Sequence, residues 1–251
     1  MEAFIISSNI RFSTHDDGSH AWPLRKKILA GIYHQYSPLL IGTQEGRKPQ
    51  LHELKLLLSG YALADTHRNW LAERMYPCIF YNERTVRLLK SGDFWLSLTP
   101  EIDGSSSFDS MFPRLCTWVH IEVAGRELLV FNTHLDHVQP STRESQIEVL
   151  CTQVKRINTK NLPIIIMGDF NDSPESRTRK IIYDYFDSIR DDWSSREEAS
   201  HHPFTGLNPD GQRIDWILHN LEEKAQLHLD KQSDNGTWPS DHFPLIAKLK
   251  F

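Results

Sequence analysis

Short apolar, β-branched runs alternate along the chain with longer stretches of helical period. Period and composition predict strands over Phe4–Asn9, Leu39–Thr43, Cys78–Tyr81, Val86–Ser91, Thr117–Val123, Glu127–Asn132, Ile164–Met167, Ile214–Leu218 and Leu245–Leu249. Helices are expected over Leu24–Tyr36, Gln50–Leu58, Arg143–Ile157 and Ser176–Phe186, the third opened by a capping box at Ser141-Thr142-Arg143-Glu144. So many strands against so few helices do not suit a doubly wound parallel sheet. Two sheets stacked face to face, with helices outside, use these elements better. The polar segment Asp187–Gln212, with Pro203, Gly206, Pro209 and Gly211, reads as a long loop of the kind that carries substrate contacts. There is no internal repeat, low-complexity tract or linker, so residues 1–251 are read as a single domain.

Composition narrows the class. A chain of 251 residues buries a sizeable core without staples. Cys78, Cys116 and Cys151 are far apart and form no C-x-x-C pair, which argues against a disulfide framework or structural zinc and for a reducing compartment. No apolar run approaches the roughly 18 residues that span a bilayer. The start, Met1-Glu2-Ala3-Phe4-Ile5-Ile6-Ser7, is acidic where a signal peptide is basic, so a cytoplasmic protein without a membrane partner is expected. The formal net charge of −5 weakens the case for a processive duplex nuclease, since non-specific duplex binding rests on neutralising phosphates. A local basic patch from Arg68, Arg74, Arg114 and Arg143 stays available. No protein partner can be inferred.

The chemistry is concentrated where apolar strands end. Phe4-Ile5-Ile6-Ser7-Ser8-Asn9 ends in Asn9, and Leu39-Leu40-Ile41-Gly42-Thr43-Gln44-Glu45 in Glu45. Leu128-Leu129-Val130-Phe131-Asn132-Thr133-His134 ends in His134, and Ile164-Ile165-Ile166-Met167-Gly168-Asp169-Phe170-Asn171 in Asp169 and Asn171. Asp215 lies inside an apolar strand, and Ser240-Asp241-His242 opens the last one. Any one of these is equally a strand ending in a turn. If all converge, they build a pocket of carboxylates, carboxamides and imidazoles. An acid between Ile214 and Trp216 is costly to bury alone, so Asp215 requires a partner.

In order, the motifs Asn9-Ile10-Arg11, Gln44-Glu45, Thr133-His134-Leu135, Gly168-Asp169-Phe170-Asn171, Arg213-Ile214-Asp215-Trp216-Ile217 and Ser240-Asp241-His242-Phe243-Pro244 resemble those of the endonuclease/exonuclease/phosphatase superfamily. The resemblance covers nearly the whole chain. It implies an α/β fold, a four-layered α/β sandwich of two stacked mixed β-sheets flanked by helices. It also implies a divalent-metal-dependent phosphoesterase. Glu45 would ligate Mg²⁺ or Mn²⁺, with Asn9 and Asp241 as direct or water-mediated ligands. Asp169 would deprotonate the attacking water and Asn171 hold water or phosphate. His242 would contact the scissile phosphate as an imidazolium or as an acid, with Asp215 fixing its tautomer and raising its pKa, and His134 would be a second imidazole. Arg114 matches a phosphate-facing arginine of part of the family, and Glu73 and Arg74 a loop that lines the substrate groove. Trp70, Phe112 and Trp238 are candidates for base stacking, or else packing residues.

The run Gly92-Asp93-Phe94-Trp95-Leu96-Ser97, with Arg114-Leu115-Cys116-Thr117-Trp118 and Thr133-His134-Leu135-Asp136-His137, is most similar to a small bacterial branch nearer deadenylases than abasic-site endonucleases. The implied substrate is small or single-stranded and phosphorylated, such as a nucleotide or single-stranded nucleic acid. A DNA repair nuclease and then a lipid phosphodiesterase follow. Two other readings compete. Asn132-x-His134-x-Asp136-His137 is one residue short of a metallo-β-lactamase zinc signature. A catalytically inactive binding module should have lost one of Glu45, Asp169, Asn171, Asp215 or His242, and all are present.

Overall fold

The computed structural model describes residues 1–251. Its elements are β1 (Glu2–Asn9), a 3₁₀ turn (His15–His20), α1 (Trp22–Tyr36), β2 (Leu40–Arg47), α2 (Lys48–Leu57), β3 (Tyr61–Leu63), β4 (Met75–Asn82) and β5 (Val86–Trp95). There follow β6 (Leu115–Val123), β7 (Arg126–His134), α3 (Pro140–Ile157), β8 (Ile164–Asp169), α4 (Arg177–Tyr185), β9 (Asp215–His219), β10 (Gln226–Leu229) and β11 (Leu245–Lys250). One sheet has the order β10-β11-β1-β2-β4-β3 and the other β5-β6-β7-β8-β9. Both are mixed: β1–β2 and β7–β8 pair in parallel, their other neighbours antiparallel.

The apolar runs are continuous because each strand is buried on both faces, and the period of two sorts their side chains into layers. Ile5, Leu40, Ile79, Val130, Ile165, Met167, Ile217 and Leu245 point between the sheets. Their chain neighbours Ile6, Ile41, Phe80 and Ile246 pack with Leu29, Tyr33 and Leu51 of α1 and α2. Phe131, Ile166, Trp216 and Leu218 pack with Ile147, Leu150 and Ile182 of α3 and α4. The result is the expected four layers.

Strand direction then gathers the polar ends. A parallel pair needs a crossover, supplied by α1 and α3, so β1 and β2 finish at the same edge, as do β7 and β8. The antiparallel strands β6, β9 and β11 begin there.

Several expectations need correction. The capping box does not form: α3 starts at Pro140, Gln139 at its N-cap makes no side-chain bond, and the Thr142 hydroxyl donates to the Phe108 carbonyl. Proline at the first helical position pre-sets the entry without a cap. Strands β3 and β10 were not anticipated, being too short for a periodic signal. Strand β5 runs on to Trp95, with an irregularity between Leu88 and Lys90 that interrupts the alternation. Arg68 and Arg143 supply no patch, because they pair with Asp93 and Asp172. All three cysteines are buried and free. No helix is long and apolar enough to cross a membrane.

Candidate active site

The strand ends converge. His134, Asp169 and Asp215 are direct neighbours across β7, β8 and β9. Asn9, from the facing sheet, donates from Nδ2 to Asp169 Oδ2 at 2.9 Å and to Glu45 Oε1 at 3.1 Å. His242 meets Asp215 at 2.9 Å through Nδ1, and its Nε2 lies 3.9 Å from Asp169 Oδ2. Asp169 Oδ1 accepts the Asn171 backbone N–H at 2.9 Å, while the Asn171 amide donates to the Leu135 carbonyl.

Local backbone devices aim these groups. Glu45 sits where the β2–β4 register shifts between Thr43 and Gly46, with φ +65°. A left-handed glutamate is strained, and the bulge turns its carboxylate out of the strand's alternation. Oε2 is then held by the Phe12 N–H at 3.1 Å. Gly168 lets β8 close on β7: a Cβ there would stand 2.1 Å from the Thr133 carbonyl oxygen. Arg25, wholly buried, spends its guanidinium on the carbonyls of Ile10, Arg11, His20 and Pro239, pinning the chain after Asn9 to the chain before Asp241. The Ser200 hydroxyl accepts the N–H groups of Ile214 and Asp215, so the long loop braces the strand carrying Asp215.

Electrostatics differ from one group to the next. Burial raises Asp169 to about 7, aided by Asp215 and opposed by His242 and the Asn9 bond. Burial alone would lower His242, but the carboxylates around it, Asp215 first and then Asp169 and Asp241, together outweigh it and carry the imidazole to about 10. His134 is pushed well below the ordinary histidine value by burial and then by Arg114. The Arg114 guanidinium only donates, at 3.1 Å to His134 Nδ1, so the neutral ring keeps its proton on Nε2, 3.5 Å from Asp169 Oδ2. One imidazole is thus cationic and one neutral around the same carboxylate.

Asp241, before β11, lies 3.8 Å from Arg11 and 3.9 Å from His201. Glu45, Asn9 and Asp241 offer only oxygen donors, the chemistry that suits a hard divalent cation. Glu45 is half-buried, and the Asp241 Oδ2 contacts are too long for hydrogen bonds. Asp169, Asp215 and His242 also present ligand atoms within 4.8 Å of one another. There the His242–Asp215 hydrogen bond already occupies the facing atoms.

Arg114 is buried, with only His134 and His137 as side-chain partners. Arg74 and Glu73 line a cavity of about 220 Å³ beside Glu45, Arg114 and His134. Arg47 and Phe12 also line it, while His137 meets Arg114 and His201 stands near Asp241; of these only His137 was named from sequence, within the zinc pattern. The Gly46-Arg47-Lys48 step after Glu45 was the readable sign. Of the aromatics, Phe112 lies at the cavity, stacked on His137. Trp70 packs on Tyr76, and Trp238 on Phe243 and His202. The zinc pattern is not assembled: Asn132 bonds Thr43, Cys78 and Gln44 between the sheets, and Asp136 caps the turn at Val138 and Gln139.

These residues stand in order along a chain that a family model matches over residues 6–242, that of the Endonuclease/Exonuclease/phosphatase family. The chain belongs to this family. No curated protein sequence matches it. Among solved structures, an endonuclease/exonuclease/phosphatase family protein of Bacteroides thetaiotaomicron is 25% identical with a TM-score of 0.91, over 99% of this chain and 94% of that one. A mannosyl-6-phosphatase of the same organism is 26% identical with a TM-score of 0.88, over 99% and 100%. TDP2 of D. rerio, complexed with a single-strand DNA product, shares the fold at 17% identity and a TM-score of 0.76, over 98% of each chain. The family's members are phosphoester hydrolases, so the fold is that of a phosphoesterase.

Proposed function

We propose that residues 1–251 act as one catalytic domain, a divalent-metal-dependent phosphoesterase that cleaves a phosphodiester or phosphomonoester bond in a small or single-stranded phosphorylated substrate. The observation that carries this reading is the environment of Asp169. It is a carboxylate 1% exposed, raised to about 7, and surrounded by Asn9, a neutral His134 and a cationic His242. A general base works best with a pKa near the operating pH.

In this reading Asp169 takes the proton from a water as its oxygen attacks phosphorus, and the bond to the leaving oxygen breaks. His242, positioned by Asp215, and Arg114 stabilise the charge gathering on the phosphoryl oxygens. His134 donates from Nε2 toward the water or phosphate, and Asn171 holds the Asp169 loop. Glu45, Asp241 and Asn9 would hold Mg²⁺ or Mn²⁺, which supplies Lewis-acid neutralisation of phosphoryl charge when bound. Buried Arg114 without a carboxylate partner favours an anionic ligand over an inactive module. The mannosyl-6-phosphatase supports a small monoester and TDP2 a nucleic-acid strand. The net negative charge argues against a repair nuclease gripping duplex DNA. The free thiols suit a cytoplasmic setting.

The test is hydrolysis of bis-p-nitrophenyl phosphate, p-nitrophenyl phosphate, sugar phosphates, oligo(A) and an abasic duplex with EDTA, Mg²⁺ or Mn²⁺, beside Glu45→Ala. Metal-dependent turnover lost in the variant is expected. Turnover that survives EDTA and the substitution would overturn the reading.

A further inference from the structure

Three guanidiniums line the cavity beside Glu45, those of Arg47, Arg74 and Arg114. One suffices for a single phosphoryl group, and Arg114 already stands against His134. In all three the Nε is buried without a hydrogen-bond partner. An unpaired buried guanidinium N–H is costly, and the pairing that best satisfies it is a bidentate one with an oxyanion. The only carboxylate within 4 Å of Arg47 is Glu73, at 3.5 Å, whose side chain is 86% exposed. Such a pair is weak and readily exchanged for a better acceptor. Arg47 is meanwhile anchored by its own contact with the Phe12 ring, 5.1 Å from guanidinium to centroid. A second cavity, of about 490 Å³, shares Arg47, Glu73 and Arg74 with the first and continues to Lys48 and Trp70. Arg47 and Arg74 therefore stand at the junction of two cavities rather than at the end of one.

We propose that Arg47 and Arg74 form a subsite for a second phosphate on the same substrate, beyond the phosphoryl group being cleaved. Glu73 is its resident counter-ion, released when that phosphate enters. This rests on the phosphoesterase reading above and narrows it: the preferred substrate carries two phosphates. They belong either to one small molecule or to successive positions of a strand. The shared chemistry is an oxyanion displaced from the reacting one, facing two arginines with a single exposed counter-charge, Glu73 on Arg47.

The experiment uses matched probes in two arms. Fructose 1,6-bisphosphate is set against fructose 6-phosphate, and a 5′-phosphorylated dithymidylate against the same dithymidylate without its 5′-phosphate, so that each pair differs by one phosphate. Binding is measured by calorimetry in EDTA, where turnover is suppressed, and kcat/KM with Mg²⁺ or Mn²⁺. In at least one arm the second phosphate should tighten binding and raise kcat/KM by about tenfold or more, and that arm identifies the source. The ratio within that arm should collapse toward one in Arg47→Ala/Arg74→Ala and rise in Glu73→Gln, opposite signs that a merely structural role would not produce. Arg114→Ala should weaken both members and leave the ratio in place. Equal binding of both members in both arms, or a ratio unchanged by the double substitution, overturns the subsite. Absence of metal-dependent hydrolysis with any probe strikes the underlying reading instead, while the binding ratio still decides the subsite.

Discussion

At the scale of single residues, the two imidazoles around Asp169 illustrate how neighbours assign protonation. Asp215 holds a proton on His242 Nδ1, and Arg114 denies one to His134 Nδ1. Both histidines were legible as chemistry in the sequence, and Asp215 was the expected cause of a raised His242. The neutral state of His134 was not legible, because the Arg114 that decides it lies on another segment of the chain. Asp169→Asn keeps the shape, gives up one of the two hydrogen bonds the carboxylate accepts from Asn9 and the Asn171 N–H, and removes the base, so turnover should be lost while the circular dichroism spectrum and metal-induced thermal shift persist. Wild-type-like rates in that variant would remove Asp169 from its role. His242→Ala should lower kcat by about 10²–10⁴ through lost charge stabilisation. A loss below tenfold in steady-state assays would mean that the phosphate contact is misassigned.

At the scale of elements, periodicity located most strands and all four helices, because runs buried on two faces or along one stripe leave a pattern. It missed β3 and β10, which hold 3 and 4 residues and depend on pairing with β4 and β11. It also misread the start of α3, where Thr142 had a tertiary carbonyl to bond instead of its own helix. Close approach of β7 and β8 is likewise invisible until both strands are placed. Gly168→Ala is expected to cost about 1–3 kcal/mol from backbone strain alone at φ +148°, with the Thr133 clash in addition. Urea denaturation measures it, and a midpoint shift near zero would contradict the packing. On β5, Asp93 accepts hydrogen bonds from Arg68 Nε and Nη2. Burial would raise this carboxyl, but Arg68 and His67 bring it to about 2, below the ordinary 3.8. Its stabilisation is therefore complete above the unfolded value and declines as pH falls toward 2. Asp93→Asn should destabilise by about 3–5 kcal/mol at neutral pH, since Arg68 is left buried and unpaired. The gap in urea midpoint from wild type should narrow below pH 4, where the wild type loses the same charge. A gap constant with pH would refute the pair.

At the scale of the whole molecule, the site belongs to neither sheet. Asn9 and Glu45 come from the first, with Asp241 and His242 leading into its β11. His134, Asp169, Asp215 and Arg114 come from the second or its approach. The Asn9–Asp169 and Asp215–His242 bonds cross between them. A cation bound to Glu45 and Asp241 should therefore stabilise the fold as a unit. At a hundredfold excess over Kd the gain is about 2.7 kcal/mol. For a chain of this size that is a rise in Tm of roughly 5–10 °C. Scanning calorimetry with Mg²⁺ or Mn²⁺ should show this in wild type and lose it in Glu45→Gln; equal rises in both would place the cation elsewhere. What the sequence determined by itself was the layered class, the identity of the polar strand ends and the partner requirement of Asp215, because burial pattern and residue chemistry are local properties. The tertiary structure alone decided which ends meet, that Glu45 is turned out of its strand's alternation by a bulge, that Arg68 is spent in the core while Arg47 and Arg74 face a cavity, and that His134 stays neutral beside Asp169. Those depend on distances between residues far apart in the chain, and pairing, register and burial set such distances only once both sheets are closed on each other.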